Sequence, residues 1–103
     1  MRSMARVKDK TVKVHPQTAM LLAALKVYGR RNCEVVITSA NDGQHMDGSL
    51  HYKDYALDLR IWNLGEDYNT IAESVVTELE IELGDDYDVI LESNHIHMEY
   101  DPA

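Results

Sequence analysis

The chain reads as an α+β domain, a small antiparallel sheet with helices packed on it. Three observations lead there. Apolar residues recur at helical spacing in "PQTAMLLAALKVYGRR" and again beyond Tyr68. Apolar and polar residues alternate in "YALDLRIW" and "HIHMEY", as they do on strands with one buried face. Taken in order, the elements run helix, strand, strand, helix, strand, strand. With 103 residues there is room for a single core, so residues 1–103 form one domain.

The first ten residues, "MRSMARVKDK", are polar and expected to be loosely held. His15-Pro16 suits a helix start, because proline is tolerated in the first turn. Met20, Leu21, Ala24, Leu25 and Tyr28 mark the face that this helix buries, and Gly29 or Asn32 ends it. "CEVVIT" is rich in β-branched residues and predicts a buried strand. "SANDGQHMDGS" predicts a loop, the kind of segment on which sites are often built. "YALDLRIW" is the second strand and "NLGED" a turn. In the second helix Ile71, Val75, Leu79 and Leu83 fall every fourth residue, and Gly84 stops it. "YDVILES" and "HIHMEY" are one bent strand or the two strands of a hairpin.

Composition narrows the function. Hydrophobic residues make up 45% and charged residues 27%, as in ordinary globular chains. The formal charge is −8, from 18 acidic and 10 basic side chains, and the basic ones concentrate before position 32. Nucleic acid binding needs clustered Lys and Arg to displace counterions from phosphates, so no nucleic acid partner is expected. No membrane partner is expected for the same reason, and no segment has the length and apolarity to span a bilayer. The N-terminus lacks an apolar stretch of signal-peptide length, so the chain is expected to be cytoplasmic as synthesised and to reach a cell wall only after release. Cys33 is the single cysteine, which excludes an internal disulfide, and it reads as a small buried hydrophobe. The oligomeric state is not legible.

Alternation in "HIHMEY" sends His95, His97 and Glu99 to one face and Ile96, Met98 and Tyr100 to the other. In "YALDLRIW" it groups Ala56, Asp58 and Arg60 against Tyr55, Leu57, Leu59 and Ile61. If the two polar faces line one cleft, two histidines and an aspartate converge. His51 lies seven residues before Asp58 and approaches from the loop side. A catalytic zinc takes three protein ligands and keeps a fourth position open, and His51, Asp58 and one histidine of the H-x-H pair make such a set. The bland alternative is a solvated polar strand face, with Asp58 paired to Arg60 or a lysine. Asp42, Asp47 and "GDDYD" offer oxygens of the kind calcium takes, but their spacing matches no calcium loop, and solvated turns explain them better.

"SLHYKDYALDLR" resembles the S-x-H-x-x-x-x-A-x-D signature of the zinc D-alanyl-D-alanine carboxypeptidases and related murein endopeptidases of bacteria and phages. It is similar also to the zinc site of Hedgehog signalling domains, which share that fold and carry S-L-H-Y followed by A-V-D. "DGQHMDGSLHY" and "ESNHIHMEY" resemble the Hedgehog stretches around the same metal, and the resemblance covers roughly residues 34–101 in the family's order. It implies a Hedgehog/D-Ala-D-Ala peptidase-like fold and Zn2+ as cofactor, held by His51, Asp58 and His97. The substrate it implies is an amide bond in a peptidoglycan stem peptide.

Glu92 resembles the family's glutamate preceding the last ligand, which takes a proton from the attacking water. It stands five residues before His97, where many members have that acid at three, and position 94 is Asn; Glu99 is the substitute. His95 would orient water or substrate, and His45 aligns with a Hedgehog histidine near the metal, placed to stabilise an oxyanion. Ser49 opens the motif and holds the loop. "ITSANDGQ" lacks the arginine that many carboxypeptidases of the family carry there, which leaves an endopeptidase as suitable as a carboxypeptidase. Arg60 either replaces it or pairs with Asp58. A zinc-binding module without turnover, and a phage assembly or interaction protein, are the alternatives.

Overall fold

The computed structural model describes residues 15–42 and 55–102. The expectation about the first ten residues, and the roles assigned to His45, Ser49 and His51, lie outside them. Helix α1 spans Pro16–Gly29, strand β1 Ile37–Asp42 and strand β2 Tyr55–Arg60. A short 3-10 turn, Trp62–Leu64, leads to helix α2, Tyr68–Leu83, and strands β3, Tyr87–Leu91, and β4, His95–Tyr100, follow. The strands form one antiparallel sheet in the order β1-β2-β4-β3. This is the α+β class expected, and β3 and β4 are a hairpin rather than one bent strand. No helix among the described residues is long and apolar enough to cross a membrane.

Helix α1 begins where proline predicts. Pro16 occupies the first turn, and Nδ1 of His15 accepts the Gln17 N–H at 3.1 Å, satisfying one donor the helix leaves open. The chain leaves the helix through Asn32, which adopts a left-handed φ of 55° while Cys33 N–H donates back to the Tyr28 carbonyl. The buried face is Met20, Ala23, Ala24, Val27 and Tyr28. Leu25 was expected in the core and is about half exposed, and Leu21 is only partly buried. Residues 20, 24 and 27 set the contact stripe, and position 25 lies a further 100° around the helix from position 24.

Helix α2 buries Ala72, Val75 and Leu79, with Ile71 and Leu83 packed at the margin. Gly84 ends it at φ 86°, a conformation that disfavours any side chain, and its N–H donates to the Glu80 carbonyl at 2.9 Å. Both helices join the same sheet face, where Leu57, Leu59, Val89, Ile96 and Met98 complete a single core. Across their exposed sides Lys26 and Arg30 pair with Glu82, and Arg30 and Arg31 pair with Glu78.

The first strand differs from expectation. It starts at Ile37 rather than at Cys33 and continues through Ser39–Asp42, which were expected in a loop. Hydrogen bonding to β2 decides this: Arg60 N–H donates to the Val36 carbonyl, and the ladder runs from Ile37↔Leu59 to Asp42↔Tyr55 with an irregularity between Ile37 and Ser39. A polar edge strand has weak side-chain signal, because pairing rather than burial holds it.

Candidate functional site

The sheet face opposite the helices carries the polar residues. Cross-strand pairing places Ile90, His97, Asp58 and Ser39 in one row, and Asp88, Glu99, Ala56 and Asn41 in the next; His95 pairs with Arg60. Alternation along β2 and β4 produces this, since Leu57, Leu59, Ile96 and Met98 are drawn into the core and their neighbours must face away. Helix α1 tethers β2 on either side of Asp58. Gln17 Nε2 donates to the Ala56 carbonyl at 3.3 Å, and the Tyr28 hydroxyl donates to the Arg60 carbonyl at 2.8 Å. Burial, and secondarily Cys33 nearby, push the Tyr28 phenol well above its ordinary range, so it stays a donor.

His97 is at the centre of the face. Its Nδ1–H donates to Asp58 Oδ1 at 2.7 Å and its Nε2–H to Glu99 Oε1 at 2.9 Å. An ionised carboxylate only accepts, so two carboxylate partners require both ring nitrogens to carry protons. Burial opposes that charge, but the hydrogen bonds donated to Glu99 and Asp58 outweigh it and raise the imidazole above the usual histidine range. His95 Nδ1–H donates to Asn94 Oδ1 at 2.7 Å, which leaves Nε2 facing Asp58 Oδ2 at 3.7 Å, too far for a hydrogen bond. The side chains of Asp58, His95 and His97 are each between 24 and 29% exposed, so the cluster is reachable from solvent.

The donors suit zinc, which takes imidazole nitrogen and carboxylate oxygen. Zinc ligand bonds of about 2.0–2.2 Å in a tetrahedron put neighbouring donors about 3.3 Å apart. The 2.7 Å between His97 Nδ1 and Asp58 Oδ1 is shorter, so in this arrangement a proton holds the place a cation would take. Opening that pair by about 0.6 Å, with loss of the proton, would bring these two donors to the spacing of zinc ligands. The third expected ligand, His51, is outside the described residues. Among the described residues, the set whose donor atoms all lie within 4.8 Å of one another is Asp88, Glu99 and Asp101, an acidic group at the rim of the same face.

The two glutamates differ in placement. Glu99 touches His97 directly. Glu92 stands at the turn between β3 and β4, where its N–H donates to the His95 carbonyl at 2.8 Å, and its side chain is exposed. Sequence reasoning missed Trp62, whose ring lies 4.2 Å beneath the Arg60 guanidinium carbon. The i, i+2 relation in "RIW" was the available signal. Arg60 does not pair with Asp58. No protein-family model, no curated protein and no solved structure matches the chain.

Proposed function

We propose that the protein is a zinc-dependent metallopeptidase hydrolysing an amide bond in peptidoglycan stem peptides, of the D-Ala-D-Ala carboxypeptidase or L,D-endopeptidase type. The observation that carries the reading is the pairing of Asp58 with His97 across β2 and β4, with His95 beside them on a solvent-reachable face. Asp58 and His97 would hold the metal together with His51. Bound zinc would supply Lewis-acid polarisation of the scissile carbonyl. The protein's own part is proton transfer and orientation. A glutamate takes the proton from the attacking water and returns it to the leaving amine. Glu99 is bonded to Nε2 of His97, the ring nitrogen turned away from Asp58, and so fits the part of orienting that ring, while Glu92 keeps the support of the motif for the proton transfer. His95 orients water or substrate, and His45 is assigned the oxyanion.

The second reading, a zinc-binding module or phage assembly protein without turnover, draws on Glu92, which lies at a hairpin end with no side-chain hydrogen bond among the described residues. Metal analysis of the purified chain and mass spectrometry of treated murein separate the two. The peptidase binds one zinc and cuts a stem peptide; Glu99→Gln or Glu92→Gln, whichever removes the shuttle, abolishes cutting with zinc retained. Stoichiometric zinc without cleavage of any stem peptide would establish the binding module instead.

A further inference from the structure

Four cationic side chains lie within the described residues: Lys26, Arg30, Arg31 and Arg60. Three of them are committed to Glu78 and Glu82 between the helices. Arg60 has no carboxylate partner among the described residues. Its guanidinium carbon instead lies 4.2 Å over the ring of Trp62, a residue left 57% exposed, and its Nε is covered and without an acceptor. An indole beneath a guanidinium fixes the plane of the cation and leaves its edge donors free. A planar fork of N–H groups held in that way matches a carboxylate, which it binds through two parallel hydrogen bonds. The backbone beneath is held as well, by the Tyr28 hydroxyl on the Arg60 carbonyl.

Arg60 shares the polar face of β2 with Asp58 and is the cross-strand partner of His95. Two residues along a strand advance about 7 Å, the span of one or two extended peptide units. On a chain of net charge −8, a cation with no carboxylate partner among the described residues thus stands beside His95 and two residues along the strand from Asp58.

We infer that Arg60 and Trp62 form a carboxylate-binding subsite that selects substrates carrying a free carboxylate one or two residues from the scissile amide. This rests on the peptidase reading for the word substrate, and on Arg60 and Trp62 alone for the binding. Two groups in a stem peptide present that chemistry: the C-terminal carboxylate, and the α-carboxylate of a γ-linked D-glutamate.

Trp62 is the single tryptophan of the chain, so indole fluorescence reports on this subsite alone. The test uses zinc-free full-length protein titrated with N-acetyl-D-Ala-D-Ala, with its C-terminal amide, and with N-acetyl-L-Ala-γ-D-Glu in which only the α-carboxylate is free. A saturable change in Trp62 emission is expected with one or both acids and not with the amide. Arg60→Gln is expected to weaken that response roughly tenfold or more, the loss of a charge-assisted contact, and Arg60→Lys to recover part of it. On zinc-loaded protein Arg60→Gln should raise KM for the acid substrate more than it lowers kcat. Equal responses to acid and amide in the unaltered protein would overturn the inference without recourse to any variant, and so would an Arg60→Gln titration identical to the parent. Zinc content is measured separately: a carboxylate-dependent response in a protein that takes up no zinc keeps the subsite and removes the peptidase.

Discussion

Replacing Asp58 with Asn separates the proposed metal role of this side chain from its role in the fold. Without metal, the change removes the charge from the acceptor of a 2.7 Å hydrogen bond between side chains that are 24 and 28% exposed. A hydrogen bond to a charged group contributes about 1.5–3 kcal/mol. Solvent screening, the surviving amide oxygen and the second contact of His97 to Glu99 reduce the net loss to about 1 kcal/mol. The metal-free melting temperature should therefore fall by about 4–8 °C. With zinc at one hundred times its Kd the parent gains about 2.7 kcal/mol, a rise of about 10–20 °C. Changes merely adjacent to a ligand weaken metal binding about 10–100-fold, and losing an anionic ligand should cost at least the upper figure. At the same zinc concentration the variant then gains about 0.4 kcal/mol and rises only about 2–3 °C. Scanning calorimetry with and without zinc, supported by titration calorimetry, measures both differences. An equal zinc-induced rise in parent and variant, or none in the parent, would refute the ligand assignment.

Leu59→Ala, one residue along the same strand but on the fully buried face, should cost about 2–5 kcal/mol in denaturant unfolding, well beyond the effect of Asp58→Asn. Tyr28→Phe removes the hydroxyl bonded to the Arg60 carbonyl and should cost about 0.5–1.5 kcal/mol, with amide NMR shifts concentrated at the end of β2. Hydrogen bonds from Arg31 first, then Arg30, hold the Glu78 carboxyl below its ordinary range against a smaller opposing effect of burial. A carboxyl whose pKa is lower in the folded chain contributes stability above its unfolded value, and that contribution is lost as pH falls through the folded one. Stability should thus decline as pH drops through and below about 4.3, and less steeply in Glu78→Gln, as read from urea midpoints across pH. Added salt should shrink the difference, because both arginines and the glutamate are reachable by solvent.

The polar face was legible because β2 from Leu57 onward and β4 from His95 to Glu99 alternate, and that alternation places Asp58, His95, His97 and Glu99 on one side of the sheet. What it could not give is register. That His97 rather than His95 stands opposite Asp58 depends on how β2 pairs with β4, and on the short turn that feeds β4. Strand β1 departs from the sequence pattern for a related reason. Val35 and Val36 carry the β-branched signal, but Ser39 to Asp42 make the ladder, and a polar edge leaves little pattern to read. In α1 a spacing of four drew attention to Leu21 and Leu25, whereas the buried stripe steps from Met20 to Ala24 to Val27. Arg60 was read from its strand face alone. Its stacking on Trp62 depends on the 3-10 turn that begins at Trp62, a feature with no marker in "IWNLGED".

The pairing of Asp58 with His97 is imposed by residues that touch neither. Ile96 and Met98 are fully buried, as is Leu59, and Leu57 and Val89 nearly so. Sliding β4 by one residue would turn Ile96 and Met98 out of the core, at about 1.5–3 kcal/mol each. The same slip would bring His95, His97 and Glu99 inward, where polar groups without partners cost several kcal/mol more. The turn resists it too, since the Glu92 N–H is bonded to the His95 carbonyl at the head of the hairpin. The register is therefore held by the core and the turn, and substitutions at positions 58, 97 and 99 leave both intact. Loss of zinc or of hydrolysis in such variants consequently reports on ligand and proton chemistry, provided that the metal-free protein still melts cooperatively within the narrow range worked out for Asp58→Asn.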